Sequence, residues 1–151
     1  MMLANGYRLS HDPAELQLDV IHGYLHRSYW SPGIPRHLVE KAVKNSLTVG
    51  VFAPSGAQVG FARMATDHVS FGYLADVFVL ENHQGKGLGH AMTRALLELP
   101  EVQGFRTILL LTRDAHRVYE ECGFARVEDP APFMQIRRPG NFPPLSEGAC
   151  Q

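Results

Sequence analysis

Cysteine is nearly missing: the 151-residue chain has two, Cys122 and Cys150. Two thiols make no disulfide framework. Cys122 falls at an apolar helical position and reads as a small buried hydrophobe, and Cys150 reads as a tail thiol. Charge of one sign is missing too. Fourteen Lys and Arg against fifteen Asp and Glu leave a net charge of −1, without the basic footprint of a dedicated nucleic-acid binder. No apolar run approaches the roughly 18 residues of a spanning helix, and the first residues lack the apolar stretch of a secretion signal. A soluble, cytoplasmic protein with neither a membrane nor a nucleic-acid partner is expected. There is no repeat and no low-complexity tract, and 45% hydrophobic with 19% charged residues excludes a disordered or collagen-like chain. The eight histidines are scattered. His22 and His26 share a helix face, but Gly23 stands where a zinc protease places its Glu, so no metal is expected.

What is present suits one domain whose core needs no staple. Residues 1–138 are expected to form it and 139–151, rich in proline, a loosely held tail. A short strand is predicted at Tyr7–Leu9. Asp12-Pro13-Ala14-Glu15 then carries the cap, first-turn proline and acid of a helix start, with Leu16, Val20, Ile21, Tyr24 and Leu25 as its apolar stripe. Ser31-Pro32-Gly33 breaks it, and Pro35 opens a second helix around Leu38, Val39, Ala42 and Val43. The period then shifts to strands at Leu47–Ala53, Gln58–Thr66 and Phe71–Leu80. Leu88, Ala91, Met92, Ala95, Leu96 and Leu99 form the face of a third helix. Thr107–Leu111, continuously apolar, predicts a strand covered on both sides. A short helix stopped by Gly123 follows, then a closing hairpin of Phe124–Val127 and Phe133–Arg137. This order predicts an α+β (mixed α/β) fold: a central mixed, mostly antiparallel sheet with helices on both faces.

Gln84-Gly85-Lys86-Gly87-Leu88-Gly89 is the most informative segment. Its glycines strip side chains from the start of a helix, where unpaired N–H groups and the positive dipole end favour an anion such as a pyrophosphate. A Walker A loop would need glycine where Leu80 stands and Ser or Thr at Gly87. The dinucleotide fingerprint would need glycine at His90 and a parallel βαβ unit. Both fail.

The segment resembles the coenzyme motif of the GCN5-related N-acetyltransferase (GNAT) family, a hydrophobic strand followed by Gln/Arg-x-x-Gly-x-Gly/Ala, with Val77-Phe78-Val79 as the strand. Ala115 to Phe124 is similar to that family's A-x-x-x-Y-x-x-x-G-F helix. The resemblance implies the GNAT fold, with two neighbouring strands splayed apart, and acetyl-CoA or another acyl-CoA as co-substrate. It implies that pantetheine pairs with the backbone of Val77, Phe78 and Val79, with Gln84 opening the loop. The N–H groups of Gly85, Lys86, Gly87, Leu88, Gly89 and His90 would hold the pyrophosphate. Where many members carry Asn at the end of the second splayed strand, this chain has Thr112, a polar contact to the coenzyme arm. Arg113 and Arg117 are candidates for the ribose phosphate.

Acyl transfer to an amine needs a neutral amine, a stabilised oxyanion and a proton for the departing thiolate. By the same resemblance, a backbone N–H near Val79 would polarise the thioester and Tyr119 would donate the proton. A core-packing role for Tyr119 stands as the alternative. His26, Tyr29 and Trp30, between the first two helices, and Asp76, on the central strand, are candidates for the acceptor site. No base stands out, and water can serve. The expected activity is acyl-CoA-dependent N-acyl transfer, most simply N-acetyl transfer, to a small-molecule or protein primary amine in a ternary complex. A non-catalytic acyl-CoA-binding or sensing domain is the alternative. A homodimer is compatible with the resemblance.

Overall fold

In a computed structural model, described for residues 1–138 and Phe142, a five-stranded sheet runs in the order β1-β2-β3-β4-β5. These strands are Arg8–Ser10, Ser46–Phe52, Gln58–Thr66, Phe71–Val79 and Thr107–Leu110. The first four pair antiparallel and β5 joins β4 in parallel, as the change of period predicts. Helices α1 (Leu18–Leu25) and α2 (Arg36–Lys44) precede β2, α3 (Leu88–Leu97) links β4 to β5, and α4 (His116–Glu120) follows β5.

Two apolar layers sandwich the sheet. Val49, Val51, Met64, Leu74, Leu88, Met92 and Leu96 form the larger; Ile21, Leu25, Val39, Phe61 and Phe78 form the other. Removing each such side chain from water contributes about 1.5–3 kcal/mol, so α3 and α1 are pinned to opposite faces of the same strands.

Three local expectations are corrected. Asp12 does accept the Ala14 N–H, at 2.9 Å, but only a 3-10 turn, Pro13–Glu15, follows it. Gln17 stops the turn from running into α1: its N–H donates to Gln58 Oε1 at 2.7 Å, and Gln58 N–H donates to Gln17 Oε1 at 3.1 Å. Strand β5 is not covered on both sides. Thr107 is exposed and Ile108, Leu109 and Leu110 are only half-buried, and among the described residues β5 is an edge strand. The closing hairpin does not form, since Phe124–Val127 and Phe133–Arg137 contain no strand. Pro130 and Pro132 remove ladder donors, and a turn at Pro130 takes the Phe133 N–H at 3.0 Å. The tail 139–151 and Cys150 lie outside the described residues, Phe142 excepted.

The β3–β4 turn is built on Asp67. Its Oδ1 accepts the N–H groups of Val69, Ser70 and Phe71 at 3.0, 2.8 and 3.1 Å, and its Oδ2 accepts the Ser70 hydroxyl at 2.5 Å. The Ser70 hydroxyl and then these N–H groups hold the Asp67 carboxyl well below the usual carboxylate range. A carboxyl lowered in the folded state stabilises above its unfolded value, and that contribution is lost as pH falls through the folded one. The Tm advantage of wild type over Asp67→Asn should therefore be full at neutral pH and shrink below about pH 4. Thermal melts of both proteins from pH 7 to pH 2 measure it. A gap independent of pH would show that the turn does not use the charge.

Candidate active site

Strand β5 pairs with β4 only from Phe71–Thr107 to Leu74–Leu110. Beyond Leu74 the two strands part, so the β4 edge from Ala75 to Val79 carries no β5 partner while its other edge stays bonded to β3. The register shows why. Phe61 faces Phe78 but Arg63 faces Ala75, leaving Asp76 and Val77 opposite Ala62 alone. The extra residue is a β-bulge, which bends a strand and re-aims its side chains. It reverses the alternation: Leu74, Val77 and Val79 all pack on the α3 side, and Phe78 packs on the α1 side.

Asp76 absorbs the bulge with φ +55°, a left-handed conformation that costs a non-glycine residue about 1 kcal/mol or more. It is held there from two directions. Arg63 Nε donates to Oδ2 at 2.6 Å and Trp30 Nε1 donates to Oδ1 at 2.9 Å. The Arg63 guanidinium also donates to Ser46 Oγ at 3.2 Å. Two of the predicted acceptor residues, Trp30 and Asp76, are therefore bonded to each other.

Aromatic rings roof this end of the sheet. Tyr24 stacks on Phe78 at 4.2 Å and Trp30 meets Tyr29 edge-on at 5.0 Å. Arg113, from the loop after β5, lies 3.8 Å over the Tyr29 ring and joins the two walls of the cleft. It therefore stands beside Tyr29, one of the predicted acceptor residues. Arg117 pairs with Glu121 at 3.6 Å. His26 is not in this cluster. It ends α1 beside His22, with ring centroids 5.3 Å apart, while His22 Nε2 meets Ile34 O at 2.9 Å. Among the described residues no three His, Cys, Asp or Glu are grouped to hold a metal.

The glycine loop opens α3 as its spacing predicts. Gly85 and Gly87 have φ +77° and +74°, which residues with a Cβ adopt at a cost. Gly87 is the cap residue and offers no side chain to the first turn, which holds no acid. The N–H groups of Leu88, Gly89 and His90 precede the first intrahelical bond, Ala91 N–H to Gly87 O at 3.0 Å, and have no acceptor within α3. Lys86 is exposed beside them, while Leu88 buries its side chain in the core. Gln84 closes the loop, Nε2 donating to Val79 O at 2.9 Å.

Across the gap, Thr112 Oγ1 accepts the Ala115 N–H at 3.0 Å and so starts α4. Tyr119 sits on that helix, half-buried, its ring edge-on to Phe124 at 6.0 Å. Burial pushes the Tyr119 hydroxyl above its usual value, with Cys122, Tyr29 and Asp114 adding in the same direction. Burial likewise raises the Cys122 thiol. Both groups hold their protons at neutral pH.

The profile described as Acetyltransferase (GNAT) family matches residues 44–124. A Gibberella zeae protein named among the acetyltransferases is 33% identical over 135 residues, 75% of each chain. A solved GNAT-family structure from Xanthomonas campestris pv. campestris is 38% identical, with TM-score 0.85 over 93% of this chain and 97% of that one. The fold alone is shared with glucosamine-6-phosphate N-acetyltransferase from Arabidopsis thaliana, at 14% identity and TM-score 0.63, covering 87% of this chain and 97% of that one. The splayed strands and bare helix start thus belong to an acyl-CoA-dependent acetyltransferase fold. This chain is a member of the GNAT acetyltransferase family, which uses acetyl-CoA as co-substrate.

Sequence reasoning missed Arg63, the partner of Asp76. Its signal is a charged residue inside an otherwise apolar strand, Gln58–Thr66. Asp76→Ala removes the acceptor of both Arg63 and Trp30 and should cost roughly 2–4 kcal/mol, as breaking a mostly buried ion pair does. Asp76→Asn keeps an acceptor for Trp30 and tolerates the left-handed backbone, so it should cost less than half as much. Urea unfolding of the three proteins tests this order. Equal losses would show that the pair does not hold the bulge.

Proposed function

We propose that the protein transfers an acetyl group from acetyl-CoA directly to a primary amine within a ternary complex. The observation that carries this reading is the parting of β4 from β5 beside the uncapped start of α3. The β4 edge at Val77, Phe78 and Val79, without a β5 partner, offers backbone groups to a pantetheine amide pair, Val79 O excepted, which Gln84 holds. The N–H groups from Gly85 to His90 suit a pyrophosphate, with Lys86 adding charge. Thr112, at the far side of the gap, can give its hydroxyl proton to the coenzyme arm while accepting from Ala115.

The amine would enter under the Tyr29–Trp30 roof, toward Asp76. With Asp76 committed to Arg63 and Trp30, deprotonation falls to water, which serves an amine with pKa near 8 well. Attack on the thioester carbonyl forms the C–N bond. The electron pair passes through the oxyanion, held by a backbone N–H near Val79, and the C–S bond breaks. Tyr119 is the proton donor to the thiolate, and its raised hydroxyl suits an acid that stays loaded at neutral pH. Direct transfer is favoured over an acyl-cysteine route because Cys122 is a protonated, half-buried thiol and hence a poor nucleophile. The acyl-CoA sensing alternative would share the loop but not the need for Tyr119.

Two measurements test this. Gly87→Val puts a branched side chain at a left-handed position in the pyrophosphate bowl. It should weaken CoA binding at least tenfold, about 1.4 kcal/mol, by calorimetry on protein shown to be folded by circular dichroism. Unchanged affinity would reduce the loop to a turn. Tyr119→Phe should lower kcat by roughly 10²–10⁴, the scale of a positioned acid, with little change in acetyl-CoA affinity. Free-thiol release across an amine library supplies the assay. Wild-type kcat in Tyr119→Phe would show that solvent gives the proton and that Tyr119 only packs.

A further inference from the structure

Among the described residues three arginines lie over aromatic rings. Arg8 stands 4.8 Å above Phe52, Arg27 4.5 Å above Tyr24 and Arg113 3.8 Å above Tyr29. In the first two, the ring takes the face of the guanidinium and a carboxylate takes its edge. Arg8 Nη1 meets Glu15 Oε1 at 3.0 Å. Arg27 grips Glu81 with both ends of its fork, Nη1 to Oε1 at 2.5 Å and Nη2 to Oε2 at 3.1 Å. Stacking leaves the in-plane N–H groups open to such a partner, and their spacing matches two oxygens of a carboxylate or phosphate. Arg113 has the ring and, among the described residues, no carboxylate at ion-pair distance.

The stack is held from both walls of the cleft. Thr112 Oγ1 pins the loop that carries Arg113 by accepting the Ala115 N–H. Tyr29 meets Trp30 edge-on, and Asp76 holds the Trp30 indole. Asp76 itself is committed, with Oδ2 on Arg63 and Oδ1 on Trp30. Asp114 follows Arg113 in the chain and is exposed. Burial raises the hydroxyls of Tyr24 and Tyr119, and the charge of Tyr29 adds to both. Charges in water are felt over only about 10 Å, so the stack lies between the aromatic roof and Tyr119.

We propose, resting on the amine-acceptor reading above, that the acceptor carries an oxyanion, a carboxylate or a phosphate, and that Arg113 on its Tyr29 platform selects it. The acceptor's anion completes at Arg113 the arrangement that Glu15 completes at Arg8 and Glu81 at Arg27. Tyr29 is a positioning residue: its ring holds the guanidinium by the face and keeps the edge open. The same pair disfavours a polycationic acceptor. The ring face that would attract an ammonium is already covered by a guanidinium, which repels a second cation. With its anion held at Arg113, a small acceptor extends under the Trp30 indole toward Asp76.

Trp30 is the only tryptophan of the chain and meets Tyr29 at 5.0 Å, so its fluorescence reports ligands at this stack without turnover. Protein saturated with CoA is titrated with amino acids whose amine and carboxylate are separated by chains of increasing length, and with the carboxamide of each. O-phosphoethanolamine, ethanolamine and spermidine complete the panel. The best acid should bind roughly tenfold or more tightly than its amide, the scale of a charge-assisted hydrogen bond. Arg113→Gln should bring the two within about twofold, with CoA affinity by calorimetry unchanged. Each acid–amide pair is compared across both proteins, so the amine's own pKa cancels. Tyr29→Phe should keep the preference and Tyr29→Leu should lower it. O-phosphoethanolamine outdoing every amino acid would assign the oxyanion to a phosphate ester. Four results would each overturn the proposal: amides or spermidine binding as tightly as the acids, no binding by any acid or by O-phosphoethanolamine, a preference that survives Arg113→Gln, or a large loss of CoA affinity in that variant. Free-thiol release with acetyl-CoA reads transfer separately. Acids bound through Arg113 yet never acetylated would overturn the catalytic reading and leave this one standing.

Discussion

The site depends on one carboxylate. Asp76 occupies a left-handed backbone position that a β-strand interior ordinarily excludes, and Arg63 and Trp30 hold it there. The bulge it creates turns β4 away from β5, and the opening of the gap follows from that turn. Without the bulge, the parallel pairing that runs from Phe71 to Leu74 would continue toward Val79 and close the space. The strain is local. The hydrogen bonds and burial that offset it come from three separate elements, β3, β4 and the loop after α1. This arrangement is common where a functional site is carried by a rigid sheet.

The layers on either side divide the work. On one face α3 is pinned by Leu88, Met92 and Leu96, so its uncapped first turn points at the open end of the gap. On the other face Phe78 anchors Tyr24 by stacking, and through Tyr24 the aromatic loop that ends in Trp30. Arg27 adds a tie between that loop and the turn before the glycines, pairing with Glu81 at 2.5 Å and lying 4.5 Å over the Tyr24 ring. The glycine-loop end and the aromatic-roof end of the gap are thereby set by one strand with neighbours on both faces. The Tyr29–Arg113 stack then links them to the loop that leads into α4.

Much of this was legible in the residues. The strand Gln58–Thr66, the meander around it and the buried stripe of α3 are stated by period alone, because burial of one face imposes that period on the sequence. The glycine loop was legible for a related reason. A backbone that must turn left-handed and present bare N–H groups leaves few residue types to choose from. Cys122 and Tyr119 read as helix-face residues, and both are half-buried on or beside α4. The early helix was misread because Asp12-Pro13 is a strong local start signal. Only Gln58, distant along the chain, diverts Gln17 from continuing it.

What the sequence determined by itself was the four-strand meander and its parallel neighbour, the glycine turn that opens α3 and the membership of an acetyltransferase family. Each is written in short-range pattern, in spacing of a few residues or in motif chemistry. What only the tertiary structure decided was where those pieces meet. The Arg63–Asp76–Trp30 bonding, the placing of Arg113 on Tyr29 and the exclusion of His26 join residues far apart in the chain, and no local pattern encodes them. The missing final hairpin is of the same kind. Residues 133–137 have the composition of a strand, but a strand exists only where another edge receives it. Whether that edge is present is a property of the assembled sheet rather than of the segment.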